Sequence, residues 1–382
     1  MSGNGATSCA NGWSIIIMTD GKFRVGIIGA DTQASWAGAS HIPALAAQPS
    51  LVLAGVATRR EESAKAAAEV FGAERWYADP FKLIEDKGID VVTVAVKVPA
   101  HHDLVMAALA AGKAVYAESP LGATLAETEA MAAAGRSLHT AIGLQGRHNP
   151  AVRRAAELVA SGKLGRLLSA RVDATTFGYG PQVTSNYDYF NKAASGASFM
   201  TITVGHVLDV IEAVLGDITQ VDARTALHWP QIEVVDTGET STREIPDHLD
   251  LIAATATGTP VSVQVLAGVP ADEARFRFDI RGTEGRLTLT GDHLAGVQVG
   301  DLRLTASVDF AAPDAPIATG VGPTAADFWA GAAINVGEVY ASLARDLVAG
   351  TYHTPGFDHA LHNSRLVAAV ERAAQSGERQ SI

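Results

Sequence analysis

The sequence predicts a doubly wound parallel α/β domain followed by an α+β domain with a large, mostly antiparallel sheet. Three observations lead there. Up to about residue 150, short and uniformly apolar runs alternate with helical stretches, as in a parallel sheet covered on both faces. Beyond about residue 150, strand-like segments dominate and few helices interrupt them. The 382 residues, 47% hydrophobic and 18% charged, suffice for two domains with a sizeable core.

Each element follows in order. Residues 23–28 (FRVGII) form a β-rich run that Gly29 ends, and 51–57 (LVLAGVA) form a second, with a helical stretch near 40–47 between them. Residues 61–71 (EESAKAAAEVF) hold good helix formers. Residues 90–96 give a third strand, 102–111 a helix stopped by Gly112, and 114–117 a fourth strand. A helix over 125–134 and a fifth strand over 140–144 complete the set. One more helix spans 151–161. Strands are then expected at 167–174, 218–226, 249–257, 260–266, 275–281 and 286–290, with a Gly-Thr-Glu-Gly turn at 282–285 and a helix at 207–215. Residues 306–328, rich in Ala, Pro, Thr and Gly, read as a surface loop. Helices over 332–349 and 359–376 close the chain, and there is no internal repeat. The expected organisation is a tail over 1–20, a parallel α/β domain over 21–148 and an α+β domain over 149–382, its last helices packing back toward the first domain.

The net charge of −12 argues against non-specific binding to nucleic acid or anionic membranes. A single cysteine, Cys9, leaves no intrachain disulfide framework and no cysteine-cluster metal site, which suits a reducing cytoplasm. The apolar run 13–18 is too short to span a membrane and lacks the flanks of a signal peptide. Either Met1 or Met18 could be the natural start. His101, His102, His228, His248 and His353 lack metal-ligand spacing, so no metal is expected, and no G-x-S-x-G points to a hydrolase.

The junction of the first strand and first helix carries the chemistry. Gly29 fits the first glycine of G-x-G-x-x-G, but Asp31 and Ala34 fill the other two places. A tight turn at Gly29 would still let backbone N–H groups face a pyrophosphate, provided Asp31 points away or caps. An ordinary strand-to-helix turn is the competing reading. The second strand runs directly into Thr58-Arg59-Arg60. An acidic residue there would hold the ribose hydroxyls of NAD, whereas guanidinium suits a phosphate. NADP is therefore expected, with NAD as the alternative coenzyme. The plainer reading makes Arg59 and Arg60 solvated residues paired with Glu61 or Glu62.

Gly29, Pro99-x-x-His102, Ala111-Gly112-Lys113 and Glu118-x-Pro120-Leu121, in this order, resemble the glucose–fructose oxidoreductase / inositol dehydrogenase family (Gfo/Idh/MocA). The resemblance covers nearly the whole chain. It implies a Rossmann domain, a second domain with an open sheet, NAD(P) binding, sugar or cyclitol chemistry, and a homodimer or homotetramer formed through that sheet. Ser35-Trp36 before His41, Val96-Lys97-Val98-Pro99, Leu144-Gln145-Gly146-Arg147, Pro246-Asp247-His248-Leu249 and the hairpin 279–285 (DIRGTEG) resemble the branch containing the fungal galactose-regulon repressor. In that branch the fold binds a dinucleotide but regulates partner proteins.

Two departures bear on activity. The family's enzymes carry Glu-Lys-Pro, the lysine lying near nicotinamide and substrate; here Ser119 stands in its place. They also carry an aspartate four residues before a histidine; here those positions are Ile202 and His206. The imidazole is kept without its usual acidic neighbour.

The candidate catalytic groups are His206, Ser119, Lys97 and Tyr187. The candidate coenzyme contacts are Gly29, Ala30, Thr32, Trp36, Thr58, Arg59, Arg60, Val98, Pro99, His102, Glu118 and Gln145. The candidate substrate contacts are Arg147, Tyr179, Asp188 and Tyr189, since aromatic faces suit sugar C–H surfaces. Structural roles compete at each: a helix-capping His206, a dimer-edge aromatic loop, and hinge packing by Arg147 and His148. The expected function is an NAD(P)-dependent oxidoreductase of a sugar or cyclitol alcohol or ketone. The alternative is a catalytically silent sensor that passes coenzyme occupancy to a partner.

Overall fold

The computed structural model describes residues 21–33, 35–323 and 327–382. The tail 1–20, with Cys9, the run 13–18 and Met18, lies outside the described residues, as does Ala34.

The N-terminal domain opens with β1 (Phe23–Ile28), α1 (Trp36–Ala39), α2 (His41–Ala46) and β2 (Leu51–Ala57). It continues with α3 (Glu61–Phe71), β3 (Arg75–Tyr77), α4 (Pro80–Glu85), β4 (Val91–Val94), α5 (His101–Ala110), β5 (Ala114–Ala117), α6 (Leu125–Gly135) and β6 (Thr140–Ile142). The strands pair in parallel in the order β3-β2-β1-β4-β5-β6. The order reverses between β1 and β4, which opens a crevice at the carboxyl ends of those strands. Five strands were expected here and six are present. The additional β3 is three largely exposed residues on the edge, too short to show a periodic pattern. The α4 helix, also unforeseen, carries the usual start signals: Asp79 accepts from the Phe81 N–H and Pro80 opens the first turn.

The second domain contains α7 (Pro150–Ala160), β7 (Leu167–Thr176), β8 (Gln182–Val183), a π-helical turn over Phe199–Val204 and α8 (Gly205–Leu215). Then come β9 (Ile218–Ala226), β10 (Gln231–Val234), β11 (Glu239–Thr242), β12 (His248–Thr255), β13 (Pro260–Ala267), β14 (Arg275–Gly282), β15 (Arg286–Gly291) and β16 (Arg303–Ala306). The chain closes with α9 (Ala332–Ala349), α10 (Phe357–Ser376) and β17 (Gln380–Ser381). Eight strands form one sheet, β16-β15-β14-β7-β13-β12-β9-β17, antiparallel at every pair except β7 with β13. The fold is thus a parallel Rossmann-type sheet joined to a mixed, mostly antiparallel one.

Strand alternation explains how the second sheet packs. Phe276, Phe278 and Ile280 of β14 are buried, while Arg275, Arg277 and Arg281 face the other way and are exposed. The apolar face packs on α7, α8 and α10. The open face is polar and bears charges of both signs, with the ion pairs Arg277–Asp279 and Arg275–Asp173. The α9 helix buries Val336, Val339, Tyr340 and Leu343 in the core beneath β1 and β2, and Phe357 and Leu361 of α10 join the other face of the parallel sheet. The stretch 306–328 is not wholly a surface loop: Ala318 is fully buried against Gly337 of α9, whose missing side chain makes the room. No described helix is long and apolar enough to cross a membrane.

Candidate functional site

Gly29 ends β1 with φ +102, and a Cβ there would meet the Ala95 carbonyl oxygen at 2.4 Å. Only glycine fits, because both the left-handed backbone and the close approach of the next strand exclude a side chain. Ala30 is fully buried, and Thr32 is exposed in the following turn. Asp31 accepts from the Gln33 N–H at 2.8 Å, so its carboxylate closes its own loop, as the sequence required. Ser35 caps α1 by accepting from the Gly38 N–H at 3.0 Å. Trp36 packs edge-on against Trp329, 5.2 Å between centroids, and its indole N–H is buried without a partner.

At the end of β2, the Thr58 hydroxyl lies 2.6 Å from that of Ser63 and reaches the Arg60 carbonyl. Arg59 and Arg60 are exposed, and neither makes an ion pair among the described residues; Glu61 pairs with Lys65 instead. Lys97, just beyond β4, is pushed below its usual pKa by burial and by the charge of Arg59. Two cations therefore converge on the crevice at the β1–β4 reversal. Val98 is buried, Pro99 is exposed, and His102 is half-exposed beside Asp103. Its neighbour His101 is fully buried between the Val96 and Leu121 carbonyls, at 3.0 and 3.1 Å, and ties the two strand-end loops together.

The inner wall rests on Glu118 at the end of β5. Its carboxylate meets His41 Nε2 at 2.8 Å, His41 Nδ1 lies 3.0 Å from the Tyr340 hydroxyl, and that hydroxyl lies 2.9 Å from Thr93 Oγ1. One proton arrangement satisfies the chain: Nε2–H donates to Glu118, Tyr340 donates to Nδ1, and Thr93 donates to Tyr340. Ser119 follows, partly buried and joined to Pro120 by a cis peptide. Gln145 is buried, with its carbonyl oxygen unpartnered.

His206 sits at the start of α8, behind the π-helical turn that holds Ile202; the turn is anchored by reciprocal hydrogen bonds of Ser198 and Thr201. It is 4% exposed, with Nδ1 unpartnered among the described residues. Burial drives its pKa down to about 4, opposed by Asp209 and Glu118. An acidic neighbour is thus present after all, one turn later on the same helical face rather than one turn earlier. Asp209 is fully buried, accepts from Arg147 at 2.7 Å and meets His359 at 2.6 Å. Arg147 is committed to that cluster.

The aromatic loop approaches from the second domain. Tyr187 and Tyr189 both pack on Phe190, and Asp188 accepts from Asn191. Lys97 Nζ sits 4.3 Å over the Tyr189 ring and donates to the Asn186 carbonyl at 3.3 Å, so the loop touches the crevice. Tyr179 takes φ 61 and packs against Phe199. The loop's base is fixed by Arg243, whose guanidinium is almost fully buried and donates to the Tyr179 and Gly180 carbonyls, Asn191 and Asp247.

The structure thus gathers Gly29, Arg59, Lys97, Glu118 and His206 around the strand ends and lays the Tyr187–Tyr189 loop against Lys97. Arg147 turns to Asp209 and His102 to Asp103. His41, His101, Asp209 and Arg243 went unassigned in the sequence. A histidine beside Ser-Trp, an H-x-x-D spacing and an arginine just before Pro-Asp-His were the signals available.

A Rossmann-type parallel sheet joined to a mixed second sheet, with a buried histidine on α8, is the fold of a dinucleotide-binding class of protein. Residues 23–145 match the oxidoreductase family with an NAD-binding Rossmann fold, and 150–291 match the C-terminal domain of Gal80p. The chain belongs to the Gfo/Idh/MocA oxidoreductase family. It is 33% identical to the dehydrogenase aclE of Aspergillus oryzae over 63% of this chain and 68% of that one. It is 28% identical to the galactose/lactose metabolism regulatory protein of Saccharomyces cerevisiae over 70% and 67%, respectively. A solved levoglucosan dehydrogenase, in complex with NADH and L-sorbose, superposes with a TM-score of 0.80 at 22% identity, over 94% of this chain and 99% of that one.

Proposed function

We propose that the protein is an NADP-dependent oxidoreductase that oxidises a secondary alcohol of a sugar or cyclitol, with His206 as proton acceptor. One observation carries the reading: a buried, neutral imidazole with a free ring nitrogen stands beside Glu118 at the carboxyl edge of the parallel sheet. The ring is neutral at physiological pH, so its free nitrogen can accept a hydroxyl proton, and the charges of Asp209 and Glu118 favour the imidazolium that forms while burial opposes it. A nicotinamide in the crevice supplies the hydride exchange that no side chain performs. Gly29 lets the turn close, and Arg59, Arg60 and Lys97 offer the cations a pyrophosphate and a ribose phosphate require. His41 holds the Glu118 carboxylate in one orientation. In this reading Ser119, Lys97 and Tyr187 hydrogen-bond the substrate oxygen, and Tyr189, Asp188 and Tyr179 line its flank. The polar open sheet face is the surface through which copies associate as a homodimer or homotetramer.

The substitutions Ser119 and Ile202 favour a second reading, a regulator that binds coenzyme without turnover. Mixing the protein with NADP and a panel of aldoses and cyclitols, and following the reduced nicotinamide by absorbance, separates the two. Coenzyme binding with no turnover across the panel favours the regulator.

Coenzyme choice has its own test. Arg59→Ala is expected to weaken NADP binding about 10- to 100-fold, as for the loss of a charge-assisted hydrogen bond. NAD binding should change by less than about twofold, since it lacks the ribose phosphate. Equal losses in calorimetry would overturn the NADP assignment.

A further inference from the structure

Along α8, two turns beyond His206, the molecule holds a recess of about 250 Å³ between α7, α8, α9 and the segment leading into α10. Its polar lining is Arg147, His148, Arg153, Ser342, Arg345 and His353; the remainder is apolar, and no carboxylate lines it. For a chain of net charge −12 this is a local reversal of sign.

The hydrogen-bond inventory of the recess is unbalanced. Arg147 is matched by Asp209 and Arg153 by Glu338. Arg345 forms no ion pair or hydrogen bond among the described residues. The Ser342 hydroxyl lies 3.0 Å from Thr354 Oγ1, whose own proton goes to Asp346 at 2.6 Å, so Ser342 donates to Thr354 and is satisfied within the fold. His148 is 7% exposed and its Nε2 has no partner among the described residues. Burial first, and then the Arg147 and Arg153 guanidiniums, push its pKa down to about 3, so the ring adds no charge of its own. Donors thus outnumber acceptors, and the complementary ligand carries acceptors and negative charge.

We propose that this recess binds a phosphate group, held by Arg345 with help from Arg153. The source is either free inorganic phosphate or a small phosphorylated sugar. The site lies about 10 Å along α8 from His206, given seven residues of helix, and does not depend on the coenzyme crevice.

The test uses the full chain carrying Arg59→Ala and Arg60→Ala, which removes the crevice arginines as competing phosphate ligands. Calorimetric titration with inorganic phosphate, and separately with glucose 6-phosphate, should show saturable one-site binding. Adding Arg345→Ala should weaken it about tenfold or more. Equal affinity for both probes identifies free phosphate as the ligand; binding of the sugar phosphate alone identifies the phosphorylated sugar. No saturable binding of either probe, or unchanged affinity in the Arg345→Ala chain, overturns the proposal. Arg345 is exposed, so this variant should fold, as circular dichroism would verify. In the otherwise unaltered chain Arg345→Ala should leave NADP affinity unchanged, so failure of the recess and failure of the crevice are read separately.

Discussion

Replacing His206 by alanine is expected to lower kcat by about 10²- to 10⁴-fold, the range for losing a positioned acid–base group. NADP affinity should stay within about twofold, because in the proposed role the imidazole serves the substrate proton and not the coenzyme phosphates. The pH profile adds a second reading. Burial holds the folded pKa at about 4, below the ordinary imidazole value, so the ring stays neutral through the physiological range. The rate of alcohol oxidation should therefore show no falling limb centred near about pH 6.5, the value of a solvated histidine. A limb at that value, removed in the alanine variant, would show that His206 is solvated and that its burial plays no part. Stability has the matching sign. The unfolded chain takes up this proton below about pH 6.5 while the folded chain resists until about 4, so stability falls as pH drops through that window. His148, held neutral down to about 3 by burial and Arg147, acts in the same direction. Rates are therefore compared only where circular dichroism shows both chains folded.

Most of the fold was legible because its elements are locally encoded. β1, β2, α3, β5, β9 and α9 occur over the residues expected, each a dense apolar or good-helix-former run bounded by Gly or polar residues. The elements not foreseen are of another kind. β3, β8, β10, β11, β16 and β17 are two to four residues long, too short for a periodic pattern, and some are paired only by neighbours distant in sequence, as when β8 pairs with β10 and β17 with β9. The site divides along the same line. Gly29 and Arg59 were readable, since one marks a turn and the other ends a strand. Glu118 was readable as a residue but not as the end of a chain running through His41 and Tyr340, a partner 299 residues away from that histidine. Ile202 marked a lost aspartate, and the H-x-x-D spacing of His206 and Asp209 hinted at a replacement one turn later, but its burial and its hold on Arg147 and His359 were not readable. Arg147 looked available for substrate until Asp209 and His359 were seen to hold it.

The largest structural penalty in the second domain is expected at Arg243. Its guanidinium is 1% exposed, and three of its nitrogens donate: Nε to Asn191 at 2.8 Å, Nη2 to the Gly180 carbonyl at 2.7 Å, and Nη1 to the Tyr179 carbonyl at 2.5 Å and Asp247 at 3.3 Å. Asp247 in turn accepts from the His228 and Trp229 backbone N–H groups and from the His228 ring. Arg243→Met keeps the volume but leaves the Asp247 carboxylate buried without its cation and two carbonyls without donors. The expected cost is about 3–5 kcal/mol, read from urea unfolding of the second domain. Arg243→Lys should recover only part, because an ammonium cannot span the planar fork that joins a side-chain amide, two backbone carbonyls and a carboxylate. Adding Asp247→Asn to Arg243→Met should cost less than the sum of the single changes, since it removes the unpaired charge. Strict additivity would mean that the pair is not coupled in the folded protein. Because the guanidinium holds Tyr179 and Asn191, the two ends of the aromatic loop, a folded Arg243→Lys chain should raise KM more than it lowers kcat. Loop disorder weakens substrate positioning while the imidazole of His206, on a different helix, keeps its place.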